Sequence, residues 1–112
     1  MPVTYTARNR VLTVSLSGDI DHHRVKGLIR ALEQEINESL PREVIVDGSG
    51  VSFMDSSGIA VLLRVWRRMR ELDGSVTVTG FPPQPSRVLR AAGLERLISI
   101  RDSSCDSSEE EP

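Results

Sequence analysis

The 112-residue sequence has a single cysteine and no long apolar run. Cys105 has no second cysteine to pair with, which excludes an internal disulfide, and its polar surroundings favour an incidental thiol over a site. No apolar stretch approaches the ~18 residues that span a bilayer, and the first residues lack the basic and apolar regions of a signal peptide. We therefore expect a cytoplasmic protein that does not enter a membrane.

The sequence also lacks a large excess of charge of either sign. It has 14 basic and 16 acidic residues, a formal net charge of −2, and therefore no electrostatic footprint for nucleic acid. A glycine-rich phosphate loop with its lysine is absent as well, which excludes an intrinsic kinase or nucleotidase of that type. We expect no cofactor, no metal and no nucleic-acid partner.

A hydrolase is the competing functional class, because Ser56, Asp21 and either His22 or His23 supply the residue types of a catalytic triad. Ser56 lacks the Gly-x-Ser-x-Gly elbow, and an aspartate next to its histidine in sequence is badly placed to orient the ring. Neighbouring histidines on a helix point about 100° apart, which disfavours chelation of one metal. The sequence thus predicts a protein that is not an enzyme.

Length and composition predict one compact domain. Hydrophobic residues make up 38% and charged residues 27% of the chain, which is ordinary for a soluble protein. A chain of this length buries about two-thirds of its unfolded surface, enough for one core without disulfides or metal. We expect a domain over residues 1–101, followed by an acidic, Ser-rich, disordered tail over residues 102–112.

Hydrophobic periodicity predicts strands that alternate with helices. The predicted strands are 3–8 and 11–17, joined by a hairpin at Asn9-Arg10, then 43–47, 75–79 and an edge strand near Ile100. The predicted helices are 21–40, capped by Asp21, then 56–72, and a short helix that starts at Pro85 or Ser86 and closes at Gly93. Strands separated by helices imply parallel neighbours with right-handed crossovers, and so an α/β fold.

Ser56 and Ser57 stand where a buried strand gives way to the second helix. A serine at this place is preferred as an N-cap, because its hydroxyl accepts a hydrogen bond from an unpaired backbone N–H. The same place, beside the positive end of the helix dipole, tolerates an added anion. Both a structural cap and a phosphorylated serine fit the pattern, and we expect the helix to accommodate a phosphate on Ser56.

Two segments resemble signatures of the bacterial anti-sigma-factor antagonists, which are single STAS domains. Phe53-Met54-Asp55-Ser56-Ser57-Gly58 resembles the segment whose serine after the aspartate is phosphorylated by the anti-sigma factor. Gly18-Asp19-Ile20-Asp21-His22-His23 resembles the Gly-acid-apolar-Asp-His-His segment between the second strand and the first helix. The resemblance, over roughly residues 3–100, implies a single STAS-type α/β domain: a mixed, mainly parallel sheet of about four to five strands against about three to four helices.

The resemblance also implies a partner-switching cycle. The unphosphorylated antagonist would bind an anti-sigma factor, a serine kinase that uses ATP and magnesium, and so release a sigma factor. The kinase would then phosphorylate Ser56, and a serine phosphatase would reset it. The partner surface that the resemblance implies comprises Asp19, Asp21, Asp55, Ser56, Ser57 and Gly58. The alternative is a STAS interaction subunit of a larger sensory or transport assembly, without a working phosphoswitch.

Several of these residues have a structural alternative. Asp21 is a partner contact, the N-cap of the first helix, or both. Asp55 orients the serine or helps to place the kinase's metal, or is only an acid at the end of a loop. Ser57 is a competing phosphoacceptor or, as we prefer, a residue that caps the helix. The sequence leaves open the oligomeric state and the identities of the sigma factor and the kinase.

One departure from the family pattern lies just before the serine motif. Gly48 and Gly50 stand where antagonists usually continue with an apolar residue after the aspartate of the strand, Asp47. Because glycine weakens a strand or marks a bulge, we expect a loop of raised mobility before Ser56.

Overall fold

The structure is a computed structural model that describes residues 3–101. In chain order its elements are β1 (Val3–Arg8), β2 (Val11–Ile20), α1 (Val25–Ser39), β3 (Glu43–Met54), α2 (Ser57–Glu71), β4 (Ser75–Thr79), α3 (Pro83–Ala91), a 3-10 turn (Leu94–Arg96) and β5 (Ser99–Arg101). The tail predicted over residues 102–112, with Cys105, lies outside the described residues.

The five described strands form one mixed sheet in the order β1-β2-β3-β4-β5. β1 and β2 pair antiparallel through a hairpin whose turn residues, Asn9 and Arg10, have φ of 53° and 65°. Two positive φ values are typical of a type I′ turn, whose twist matches that of the strands. β2 to β5 pair in parallel, as strands joined by helical crossovers do. The predicted mixed, mainly parallel sheet is confirmed.

One face of the sheet carries the core. In β2, Leu12, Val14 and Leu16 are buried, whereas Thr13 and Ser15 are only half-buried, because successive side chains point to opposite faces. Side chains from all three helices join the same cluster: Leu28, Leu32, Ile36, Val61, Leu62, Val65, Met69 and Leu89. Burial of each such side chain contributes about 1.5–3 kcal/mol, so this cluster is the main favourable term in folding.

Two strands run further than predicted. β2 ends at Ile20 rather than Ser17, and β3 ends at Met54 rather than Asp47. The two strands keep pairing through two irregularities, at each of which β3 has one residue more than β2. The prediction that glycine marks a bulge is confirmed, but the predicted loop before Ser56 is wrong, because most of it is paired strand.

Close packing explains why residue 48 of β3 is a glycine. It is buried, and a Cβ built on it would overlap the ring of Phe81, which lies between β4 and α3. The glycine therefore allows an aromatic ring to approach the strand backbone, a use of glycine that sequence periodicity does not reveal.

Two of the three helices begin at other residues than predicted. α1 begins at Val25 rather than Asp21, and α3 begins at Pro83 rather than Pro85 or Ser86. α2 begins at Ser57 with Ser56 at the N-cap position, as predicted. α3 starts early because proline is pre-organised for the first helical position, where its missing N–H costs nothing. Three helices and one 3-10 turn within residues 3–101 agree with the predicted three to four.

Candidate functional site

The two sequence motifs meet at the carboxyl ends of β2 and β3. In the parallel register, Asp19 pairs with Phe53 and Ile20 pairs with Met54. Beyond the strands, the backbone N–H of Asp55 donates to the carbonyl of Ile20 over 3.2 Å. The segments that carry Asp19 and Ser56 are therefore neighbours in space, as the resemblance implies, at the edge of a parallel sheet where ligands commonly bind.

Asp55 caps α2. Its Oδ1 accepts a hydrogen bond from the Ser57 backbone N–H over 2.8 Å, and its carbonyl accepts one from the Gly58 N–H over 3.0 Å. Ser56 makes no side-chain cap hydrogen bond. Ser56 therefore stands at the predicted N-cap position of α2, but the capping hydrogen bond comes from the side chain of Asp55, the residue before it.

The Ser56 side chain is left exposed by this arrangement. Its backbone is helical, with φ −64° and ψ −16°, and its hydroxyl has no hydrogen-bond partner within residues 3–101. Ser57, in contrast, is half-buried. An unbonded primary hydroxyl on the surface is sterically open to a phosphoryl donor, and of the two serines Ser56 is the more accessible.

The helix amides near Ser56 are already in use. Asp55 occupies the N–H groups of Ser57 and Gly58, and the N–H of Ile59 donates to the Ser56 carbonyl over 3.1 Å. These three N–H groups are therefore not free to bind a phosphate, and the Asp55 carboxylate lies beside them. Accommodation of a phosphate on Ser56 stays a prediction. The helix dipole remains favourable to a phosphate, but the nearest side chain is an acid.

Asp21 holds a turn ahead of α1. Its Oδ1 accepts from the backbone N–H groups of His23 and Arg24 over 3.0 and 3.2 Å. The carbonyl of Asp21 also accepts from Arg24 N–H over 3.0 Å. Asp21 is therefore not the N-cap of α1, which is Arg24, but it supplies the same chemistry to the turn before the helix. The rings of His22 and His23 are exposed and lie 4.0 Å apart between centroids.

Asp19 and Gly58 differ in exposure. Asp19 is exposed at the end of β2 and accepts a hydrogen bond from the Ser52 hydroxyl over 2.8 Å. Gly58 is buried, and a Cβ built on it would overlap the side chain of Met54. Close packing therefore gives a structural reason for glycine at position 58, while its part in a partner contact stays a prediction.

Two further residues at this site were not assigned a role from sequence. Phe53 is 43% exposed on β3, beside Asp19. Gln84, on α3, hydrogen-bonds both backbone groups of Met54. No sequence signal marks Gln84, because its partner is 30 residues away.

The profile of the STAS domain family matches residues 3–107. The chain belongs to the STAS domain family. It is 29% identical over 92 residues to the anti-sigma F factor antagonist of Paenibacillus polymyxa, a match that covers 82% of this chain and 79% of that protein.

Solved structures show that this STAS domain has the fold of SpoIIAA. It matches the unphosphorylated form of that anti-sigma factor antagonist with a TM-score of 0.78 and 24% identity, covering 97% of this chain and 90% of the other. It matches the phosphorylated form of the Bacillus protein with a TM-score of 0.70 and 24% identity, covering 97% and 94%. The predicted STAS-type fold is thereby confirmed.

Within residues 3–101, this STAS domain has no group of three or more histidine, cysteine, aspartate or glutamate side chains able to hold a metal ion. In the same range, no helix is both long and apolar enough to cross a membrane.

Proposed function

We propose that this STAS domain is an anti-sigma factor antagonist whose activity is switched at Ser56. The unphosphorylated form binds an anti-sigma factor that is also a serine kinase, and so releases a sigma factor; phosphate on Ser56 ends the binding, and a phosphatase restores it. The observation that carries this proposal is the exposed, unbonded Ser56 hydroxyl within the described residues, directly after Asp55, whose backbone pairs with the end of the segment that bears Asp19.

The relatives support the same role. The similar protein of Paenibacillus polymyxa is named an anti-sigma F factor antagonist, and a similar protein of Staphylococcus aureus, 22% identical over 97 residues, is named an anti-sigma-B factor antagonist. SpoIIAA, which shares the fold, is known in an unphosphorylated and a phosphorylated form. In this proposal the chain is the substrate and ligand of its partners, acts in the cytoplasm and is not itself an enzyme.

Charge placement explains how a phosphate would act as a switch. A phosphoserine carries about −1.5 to −2 charges at neutral pH. On Ser56 these charges would adjoin the Asp55 carboxylate, with Asp19 and Asp21 on the neighbouring segment. A partner that covers the neutral hydroxyl would have to desolvate the added charge, and each ~1.4 kcal/mol of binding lost weakens affinity tenfold.

The exposed end of the sheet also offers the partner an apolar anchor. Phe53 projects an accessible ring at the same end as Ser56 and Asp19. Interfaces commonly rest on a few aromatic side chains surrounded by polar contacts. We therefore place Phe53 at the centre of the partner surface, with Asp19, Asp21, Asp55, Ser56 and Ser57 around it and Gly58 beneath.

The test compares the proteins that Ser56→Ala and Ser56→Asp retain from lysate of the native cell. The matched pair is Ser75→Ala and Ser75→Asp, because Ser75 is an exposed serine at the amino end of β4, outside the proposed partner surface. We expect Ser56→Ala to retain an ATP-dependent kinase that Ser56→Asp loses, and both Ser75 variants to retain it. Incubation of the captured kinase with ATP should add one phosphate to the wild type and none to Ser56→Ala, as measured by intact mass. Retention of the same proteins by both Ser56 variants would favour the interaction-subunit alternative.

A further inference from the structure

A cavity of about 250 Å³ opens between the end of β2 and the first turns of α1. Its walls include Leu16, Ile20 and Leu28, each no more than 6% exposed. Its mouth is bordered by Arg24 and His23, both exposed side chains. An apolar interior with a few polar groups at the opening is the usual composition of a small-molecule site.

Gly27 is an exposed residue at the edge of this cavity. It lies within α1 and lines the cavity, and a Cβ built on it would meet no atom within 4 Å. Glycine inside a helix destabilises it by roughly 0.5–1 kcal/mol relative to alanine. Neither a positive φ nor a close neighbour requires glycine here. Because Gly27 is exposed, its lack of a side chain leaves this side of the cavity open to solvent.

Arg24 lines the cavity and provides a positive charge at its mouth. Its side chain is exposed, and the ion pairs found within residues 3–101 do not include it. The acid on the same rim, Asp19, is already engaged by the Ser52 hydroxyl. An arginine fork is well suited to a carboxylate, whereas the nearby Asp19 disfavours a ligand that carries two negative charges.

We propose that this cavity binds a small amphipathic monocarboxylate, with its alkyl chain against Leu16, Ile20 and Leu28 and its carboxylate on Arg24. The cavity is larger than the ~150 Å³ void that holds benzene and slightly smaller than the ~300–1,000 Å³ of drug-sized sites. A medium-chain carboxylate such as octanoate is a ligand of suitable size. This site does not depend on phosphorylation of Ser56.

The test is titration of the ¹⁵N-labelled chain with octanoate, octanol and octylamine, followed by NMR. We expect octanoate to shift the amides of Gly18, Gly27 and Leu28 saturably, octanol to bind about tenfold more weakly, and octylamine to bind weakest. Arg24→Gln should weaken the binding of octanoate about tenfold and leave the binding of octanol unchanged. Arg30→Gln, which neutralises an arginine elsewhere on α1, should change the affinity for neither ligand.

Variants that fill the cavity provide a second test of the proposal. Gly27→Leu and Gly27→Met place a side chain in the open space and should abolish binding of octanoate while the thermal midpoint is kept or raised. The proposal is overturned by any of three results: no saturable shift at ~10 mM octanoate, octylamine binding at least as tightly as octanoate, or octanoate binding that survives a folded cavity-filling variant.

Discussion

The side-chain amide of Gln84 pairs with both backbone groups of Met54. Gln84 Oε1 accepts from the Met54 N–H over 3.0 Å, and Gln84 Nε2 donates to the Met54 carbonyl over 2.9 Å. The amide thus makes the pair of hydrogen bonds that a further strand would make at the end of β3. Since Met54 directly precedes Asp55 and Ser56, this contact lets α3 fix the position of the segment that carries the candidate phosphoacceptor.

Replacement of Gln84 tests this contact. Gln84→Leu leaves two partly buried backbone groups of Met54 without their partner, so we expect a loss of about 1–3 kcal/mol in the free energy of unfolding, measured with urea. Gln34→Leu is the matched control, because Gln34 makes one exposed hydrogen bond, to Glu38; it should cost less than ~0.5 kcal/mol. Equal losses in the two variants would contradict a special role for Gln84.

Replacement of two helical glycines by alanine should change the stability of the fold in opposite directions. At Gly58 the new Cβ overlaps the buried Met54 side chain, so we expect Gly58→Ala to destabilise the fold by about 1–3 kcal/mol. At Gly27 the Cβ enters open space, so Gly27→Ala should stabilise it by roughly 0.5–1 kcal/mol. Thermal unfolding of both variants measures the difference. Stabilisation by Gly58→Ala would show that Met54 moves aside without cost, and the packing explanation for Gly58 would then fail.

The sequence predicts best where local periodicity decides the structure. β4 has the predicted bounds, and the Asn9-Arg10 hairpin is where it was expected, because strand alternation and turn position are local properties. β2 and β3 were predicted too short, because Gly18, Gly48 and Gly50 read as strand ends. Their pairing continues through contacts distant in sequence, such as the Phe81 ring over Gly48.

At the candidate site, too, some features were predicted from sequence and others depend on contacts that sequence does not reveal. The resemblance placed the Asp19 and Ser56 segments together, and the register of β2 and β3 does so. Ser56 has the predicted N-cap position, but the capping side chain is that of Asp55. Aspartate and serine are about equally good N-caps, so residue preference alone could not separate these two neighbours. The hydrogen bond from the Ser57 N–H to Asp55 Oδ1 identifies Asp55 as the residue whose side chain caps the helix. Nothing local could reveal Gln84, whose contact exists only after α3 packs against β3.

Phe53 should contribute to partner binding and little to stability. Because its ring is 43% exposed, Phe53→Ala should change the free energy of unfolding by no more than ~0.5 kcal/mol. If Phe53 anchors the partner as proposed, the same change should weaken binding at least about tenfold, measured by calorimetry with the captured kinase. Leu97→Ala is the control, since Leu97 is 47% exposed but precedes β5, at the amino end of that parallel strand. If Phe53→Ala and Leu97→Ala weaken partner binding equally, Phe53 is not part of the partner surface.

The hydroxyl of Tyr5 is buried without a hydrogen-bond partner within residues 3–101. Burial of the group, and secondly the negative charge of Glu35, raise the pKa of Tyr5 above its ordinary value of about 10. The folded state therefore holds this proton more tightly than the unfolded state. Its contribution to stability is complete below the unfolded pKa and is lost as the pH rises through the folded pKa.

Tyr5→Phe tests both the cost of the unpaired hydroxyl and the loss of stability at high pH that the raised pKa of Tyr5 predicts. Removal of the unpaired hydroxyl should leave the free energy of unfolding at pH 7 unchanged or raise it by up to ~1–3 kcal/mol. Urea unfolding above pH ~10 should then show a smaller loss of stability for Tyr5→Phe than for the wild type, because only the wild type must ionise a buried phenol. Tyr5 is the only tyrosine in the chain, so the phenolate absorbance of the wild type reports this group alone. A phenol that titrates at its ordinary pKa, or a Tyr5→Phe variant that is less stable at pH 7, would mean that the hydroxyl has a partner such as water.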